Sequence, residues 1–357
     1  MNLSEKRTIL DRLNAGEVII CDGGYTHVLE RRGYVTAGPY TPEVVLEYPT
    51  AVREIHREFA LCGADILEAF SFNGTDDNLN KARMADNKLC AKEICEDGCK
   101  IVQEVAKEQG CLAAGPVSST DSYRKKLGKE KVQEEFRTQI AVYQSFRMDL
   151  LIAEFFMNVE EAEWAVEVMQ ETGLPVAISM CIGPLGDHNN ISIEECGIRL
   201  AKSGADIIGL NCRFEPDICL NTLKRMKAAV EKEGIKVHWM CQPAGYRTAD
   251  GGRDGFASIP ETALALESRL ISRWDAHKFA RRAYEEGVRF IGGCCGFEPY
   301  HIRALAEELH EERGRLPKNS RGLYASSLKY HHNPIVQARA NKEYWYNLIP
   351  TDGRKAT

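Results

Sequence analysis

Three cysteines stand where a chain could present sulfur to a ligand. Cys294 and Cys295 are adjacent and follow the apolar run Val288-Arg289-Phe290-Ile291 and the pair Gly292-Gly293, with Gly296 behind them. Such a run reads as a buried strand that stops in a turn, where glycines let backbone approach a ligand closely. Cys212 closes a second buried run, Ala205-Asp206-Ile207-Ile208-Gly209-Leu210-Asn211. Three thiolates meeting at one rim would make a zinc site with its fourth position open, the form catalytic zinc takes. Neighbouring side chains on a regular strand point to opposite faces, so both Cys294 and Cys295 can serve only if the strand ends before them. On spacing alone, zinc ligation and simple packing stand level.

The chemistry of such a site is narrow. Three thiolates leave zinc with a net negative charge, which makes it a poor activator of water. It suits the holding of a substrate thiol in its ionised, nucleophilic form, since a free thiol with a pKa near ~8.5 is mostly protonated at neutral pH. The expected reaction is attack of that thiolate on an electrophilic carbon. A Schiff-base enzyme would want a lysine at a strand end, and none of the expected strand ends carries one. The other cysteines read as packing: Cys21, Cys62, Cys111, Cys181 and Cys241 on or beside buried strands, and Cys90, Cys95 and Cys99 along a helix.

The elements that would position these sulfurs can be read in order. The chain has 357 residues, 44% hydrophobic and 27% charged, which suits a globular protein with a large core. Its formal net charge of -6 and sequence pI of about 5.9, with no long basic run, argue against nucleic acid as a partner. No stretch is apolar enough to span a membrane and no signal-peptide core follows Met1. The thirteen cysteines are therefore expected to be reduced in a cytoplasmic protein.

Strands are expected at Glu17–Cys21, Ala64–Phe70, Cys111–Ala114, Asp149–Ala153, Pro175–Met180, Ala205–Asn211, Lys236–Met240 and Val288–Ile291. Helical stretches lie between them, among them Thr41 to about Leu61, a stretch restarting near Asp86, Lys129–Phe146, Val159–Glu171, one capped by Ser192, Pro216–Glu233, Arg273–Glu286 and Pro299–Glu311. Eight strands alternating with helices predict an α/β fold, a (β/α)8 barrel. An open doubly wound sheet is the competing architecture, but Asp22-Gly23-Gly24 does not match its Gly-x-Gly-x-x-Gly turn. No short internal repeat stands out beyond the βα unit. Residues 1–315 are expected to form the barrel. Residues 316–357 form a tail, basic and aromatic towards Glu343-Tyr344-Trp345-Tyr346, that would dock on the barrel or build a homo-oligomer.

Barrel enzymes work at the carboxyl ends of their strands. Asp22, Asn73, Glu154, Asn211, Cys212, Gln242, Cys294 and Cys295 fall there. Taken singly, Asp22 is a common turn-former and Glu154 a common partner for an arginine, and those readings win on residue type alone.

Several longer motifs change the balance. Asp22-Gly23-Gly24, Arg32-Gly33-Tyr34-Val35, Leu151-Ile152-Ala153-Glu154, Met180-Cys181-Ile182-Gly183-Pro184, Asn211-Cys212 and Gly292-Gly293-Cys294-Cys295-Gly296-Phe297-Glu298-Pro299-Tyr300-His301-Ile302-Arg303 resemble the homocysteine S-methyltransferase family, from about Leu13 to Asn347. The resemblance implies catalytic Zn2+ on Cys212, Cys294 and Cys295. It implies that Glu154 and the backbone at Asp22, Gly23 and Gly24 hold the amino-acid group of homocysteine. An ammonium needs acceptors and a carboxylate needs N–H donors.

The second substrate implied is a cationic methyl donor. Betaine-using members hold a trimethylammonium among aromatic rings, as cation–π attraction favours. The matching positions here are Tyr40, Asn73 and Phe155, with Phe72 beside them. Tyr40 stands where a tryptophan is usual, and Asn73 removes a ring. Phe155 keeps a ring without the usual hydroxyl. The expected reaction is methyl transfer from betaine to homocysteine, giving methionine, with a sulfonium donor such as S-methylmethionine as the alternative. A zinc- or thiol-binding sensor without turnover is the alternative of another class.

Overall fold

The computed structural model describes residues 7–36, 42–71, 90–320, 332–339 and 342–347. Its eight strands are β1 Ile19–Ile20, β2 Ile66–Glu68, β3 Leu112–Ser118, β4 Leu150–Phe156, β5 Val176–Met180, β6 Ile207–Cys212, β7 His238–Pro243 and β8 Phe290–Ile291. All pair in parallel, in the order β1-β8-β7-β6-β5-β4-β3-β2. With helices between successive strands, this is the expected (β/α)8 barrel.

Alternation along the strands separates two cores. Ile19, Cys21, Ile66, Leu112, Ala114, Leu150, Ile152, Ala177, Ile207, Met240 and Phe290 pack together in one cluster, closed by Ile9 and Leu13 of the first helix. Their neighbours Ile20, Leu67, Ala113, Leu151, Ile178, Ile208, Cys241 and Ile291 pack in another, with the helices. The first set fills the barrel and the second joins it to its coat.

Among the described residues no ladder pairs β1 with β2; Asp65 closes that seam. Its N–H donates to Ile20 C=O at 2.6 Å and its carboxylate accepts from Ile20 N–H at 2.9 Å. Asp149 and Asp206 do the same before β4 and β6, taking the N–H of Ala113 at 2.7 Å and of Val176 at 2.8 Å. Each also donates its own N–H back, to Ala113 C=O and Val176 C=O respectively. This is an internal repeat that the sequence reading passed over, visible as Gly63-Ala64-Asp65-Ile66 against Gly204-Ala205-Asp206-Ile207.

Several boundaries differ from expectation. β2 stops at Glu68 rather than Phe70, while β3 runs on through Gly115-Pro116 to Ser118. Gly115 is not a turn there; a Cβ on it would meet the Tyr143 ring at 2.6 Å, so it makes room for packing. The stretch after Pro42 is two helices, Val44–Glu47 and Pro49–Leu61, because Pro49 restarts the helix at its first position. A helix at Tyr25–Arg31 had no marker in sequence, and its cap Gly24 offers no side chain. Cys95 and Cys99 are buried on Ala91–Gln109 as expected, but Cys90, just before it, is exposed. Thr41 and Asp86 lie outside the described residues.

Two aromatic residues of the tail helix Lys342–Asn347 meet helices of the barrel. The Trp345 ring stacks on Trp274 with centroids 6.4 Å apart and planes at 4°, and Tyr346 Oη donates to Glu308 at 2.8 Å. No helix among the described residues is long and apolar enough to cross a membrane.

Candidate active site

At the carboxyl end of the barrel the three sulfurs expected to meet do so. The Sγ atoms of Cys212, Cys294 and Cys295 all lie within 4.8 Å of one another. Cys212 ends β6 in the left-handed region, φ +56°, and Arg213 follows at φ +52°. This reversal lets Cys212 face the site although Asn211 beside it already does. β8 stops at Ile291, so Cys294 and Cys295 are free of strand alternation. Their turn is closed by Phe297 N–H donating to Cys294 C=O at 2.9 Å, with Gly296 at φ +87° supplying the left-handed residue.

The turn is held from both sides. Cys294 N–H donates to Pro243 C=O at 2.9 Å, and Cys295 C=O accepts from Gly245 N–H at 2.8 Å. A Cβ on Gly24 would lie 2.6 Å from Cys294 O, and one on Gly23 2.5 Å from Phe297 O. The two glycines therefore let the segment after β1 pass close to the cysteine turn. Gly24 spends its N–H on Phe297 C=O at 3.0 Å, which removes one donor from those expected for a substrate carboxylate.

The three thiols share protons unevenly. Burial opposes ionisation of Cys212, yet bonds from Cys294 and Cys295 hold it well below the usual thiol range. The same sharing with Cys212 pushes Cys294 and Cys295 up. A soft divalent cation that takes thiolate sulfur fits this donor set.

One pocket, with an empty volume of about 630 Å³ including its mouth, is lined by Asp22, Gly23, Gly24, Glu154, Phe155, Cys212, Cys294 and Cys295. With Gln242, which also lines it, nine positions singled out from sequence thus border one pocket. Tyr40, Phe72 and Asn73 lie outside the described residues. Among the described residues Glu154 has no arginine partner; Asn211 Nδ2 donates to its Oε2 at 3.1 Å and reaches Cys294 Sγ at 3.9 Å. Asn211 also accepts from Phe155 N–H at 3.1 Å, so one amide orients a carboxyl, a thiol and a strand end. Burial, then the charges of Cys212 and Asp22, push Glu154 up to about 8.

Asp22 is a structural hub more than a simple turn residue. Its Oδ2 accepts from Tyr25 Oη at 2.6 Å and from Glu68 N–H at 2.7 Å, stitching the upper end of the β1–β2 seam that Asp65 closes below. Burial raises it to about 6 despite those bonds. Phe155, at φ +67°, presents one ring face to Arg213, whose guanidinium carbon is 5.4 Å from the centroid. Arg213 is in turn paired with Asp254 at 2.6 Å.

Sequence reasoning missed three contributors. Glu68 lines the pocket, and its signal was the alternation that puts Ile66 inside the barrel and so Glu68 two residues later. Placing the strand end at Phe70 hid it. His27 and Tyr246 brace the cysteine turn from outside. Tyr246 accepts from Arg31 at 2.7 Å and stands 2.5 Å from His27 Nδ1, and a Cβ on Gly296 would meet its ring at 2.8 Å. Burial holds His27 down at about 4, so it is a neutral partner in that contact.

Known proteins resemble this chain over most of its length. A sequence profile described as homocysteine S-methyltransferase matches residues 19–309. Betaine–homocysteine S-methyltransferase 1 of Danio rerio is 50% identical over 356 residues, 99% of this chain and 88% of that protein. The S-methylmethionine–homocysteine S-methyltransferase BHMT2 of Pongo abelii is 47% identical over 351 residues, 98% of this chain and 94% of that protein. Among solved structures, the homocysteine methyltransferase MmuM from Escherichia coli in its metallated form has a TM-score of 0.63 at 18% identity, covering 82% of this chain and 96% of that one; this is a likeness of fold.

Proposed function

The chain belongs to the homocysteine S-methyltransferase family, and we propose that it transfers a methyl group from betaine to the thiol of homocysteine to give methionine, with zinc held by Cys212, Cys294 and Cys295. The observation that carries this reading is the meeting of those three sulfurs, from β6 and from the turn after β8, on the wall of an acid-lined pocket. Zinc there would supply a Lewis acid that keeps an incoming thiol ionised near neutral pH.

The chain's own residues do the rest. Asn211 fixes Glu154 relative to Cys294, so the group that receives the substrate ammonium stands at a set distance from the sulfurs. The homocysteine sulfur forms a bond to the donor methyl carbon while the carbon–nitrogen bond breaks. The electron pair stays on nitrogen, leaving a neutral tertiary amine on the donor. Anion and cation annihilate in that step, so a pocket wall of Phe70, Pro116 and Phe155, which limits water, favours the transition state.

A sulfonium donor is the second reading, favoured by two observations. The relatives acting on betaine and on S-methylmethionine are almost equally similar. The pocket also carries three carboxyl side chains, Asp22, Glu68 and Glu154, and among the described residues no lysine or arginine lines it, which suits additional positive charge.

Purified protein supplied with homocysteine and either betaine, S-methylmethionine or a dimethylsulfonium carboxylate tests both, with methionine quantified by mass spectrometry. Betaine is expected to support turnover. Turnover with sulfonium donors alone would move the assignment to the second reading, and no methionine from any donor would leave a thiol-binding sensor. Glu154→Gln removes the carboxyl that would ionise against an incoming ammonium and is expected to raise the homocysteine KM about 10- to 100-fold, the range for a charge-assisted hydrogen bond, with the donor KM unchanged. An unaltered homocysteine KM would remove Glu154 from the binding set.

A further inference from the structure

Pro116 lies inside β3, a strand with neighbours on both sides, where a residue without an N–H is out of place. The ladder to β2 shows its effect. Leu112 N–H donates to Asp65 C=O at 2.8 Å, and Ala114 C=O accepts from Ala69 N–H at 3.0 Å. In this register the next N–H due to face β2 belongs to residue 116, and Ala69 C=O is its acceptor. Proline supplies none. Ala69 C=O is taken instead by Ser71 N–H at 2.8 Å, a three-residue turn that carries the chain off the ladder. The β2–β3 pairing ends at Glu68 and Ala114, while β3 continues beside β4 to Ser118. The departing chain is caught outside the sheet. Ser71 Oγ lies 2.9 Å from Tyr143 Oη, and the Tyr143 ring packs on Gly115, next to Pro116. The helix Ala91–Gln109 crosses the Phe70 backbone at Gly98, where a Cβ would lie 3.3 Å from the Phe70 carbonyl oxygen.

We infer that Pro116 is a positioning residue for the methyl donor. By withholding one N–H it parts β2 from β3 at the height of the pocket, and so sets Phe70 in the apolar wall that faces the cationic donor. The inference rests on the methyltransferase reading above and deepens it on the donor side. Phe70 sits at the point of departure, buried, with its ring centroid 5.7 Å from that of Tyr25. It lines the pocket together with Pro116 and Phe155. One more rung would hold residues 69–71 in the ladder and draw Ser71 away from Tyr143. The decisive property is the missing N–H, which every other residue type would supply.

The test restores the N–H in two ways. Pro116→Val does so with bulk close to that of the proline ring, and Pro116→Ala does so without it. Hydrogen exchange of the new amide at position 116 reads the added rung directly. In both variants that amide is expected to be protected and the donor KM to rise about 2- to 30-fold, the worth of one aromatic face to a cation, with the homocysteine KM unchanged. Tyr143→Phe keeps the packing on Gly115 and removes the catch for Ser71. It should raise the donor KM in the same direction, and it tests the exit of the chain even where the proline variants fail to fold. A rise in Pro116→Ala alone would assign the effect to the lost ring and overturn the inference. So would an unprotected amide at position 116, or a protected one with the donor KM unchanged. Failure of wild-type protein to form methionine from any donor would overturn the methyltransferase reading instead, while hydrogen exchange still reports on the added rung.

Discussion

Cys294→Ala is expected to leave the barrel folded and to abolish both zinc retention and methionine formation. The cysteine lies past the end of β8 in a turn whose backbone bonds, to Pro243, Gly245 and Phe297, do not involve its sulfur. Removing the sulfur therefore costs little structure. It leaves two thiols where three lie within 4.8 Å, and a two-sulfur site with no rigid third donor holds zinc poorly. Losing even an outer-shell partner costs roughly 10- to 100-fold in metal affinity, so losing a ligand must cost more. Metal analysis after gel filtration, thermal melting and a methionine assay read the three parts separately. A variant that melts like wild type, keeps one equivalent of zinc and still turns over would end the proposed mechanism.

The largest effect on stability should come from the opposite end of the barrel. Asp65 and Arg313 are 1% and 2% exposed at their side chains and 2.9 Å apart. The same carboxylate is met by Arg12 at 3.0 Å and by Arg315, so it ties the first helix, the β1–β2 seam and the chain after the last barrel helices into one knot. Asp65→Asn leaves a buried guanidinium without its countercharge, a change that typically costs about 3–5 kcal/mol. Burial alone would raise the Asp65 pKa, but the three arginines and the Ile20 N–H together lower it. A depressed folded-state value means the carboxylate stabilises the fold above its unfolded pKa of about 3.9 and loses that contribution as pH falls through the folded value. Urea unfolding should show a wide gap between wild type and Asp65→Asn at pH 7 that narrows below about pH 4. Equal midpoints at pH 7 would show that the arginines hold the seam without Asp65.

How far these sites could be read in advance depended on the range of the information. Period-two alternation and runs of buried β-branched residues are local, so eight strands and their helices were visible in order, and with them the barrel. The sulfurs of Cys212, Cys294 and Cys295 were legible as candidates because each closes a buried run. Strand ends were less legible. In a barrel, residues at the rim are still buried, so composition does not change where the ladder stops. That is why Glu68 passed for mid-strand and Gly115-Pro116 for a turn. The aspartate repeat at Asp65, Asp149 and Asp206 was written in the chain, but its meaning required knowing which strand lies beside which.

Residue order alone therefore settled the barrel and the kinds of group at its rim. Closure of the sheet settled the distances between them, because β2, β4, β6 and β7 and the turns after β1 and β8 contribute to one pocket from positions as far apart as Asp22 and Cys295. No local pattern encodes that convergence. It follows from strand tilt and register around a closed sheet, which bring Gln242 across to Glu68.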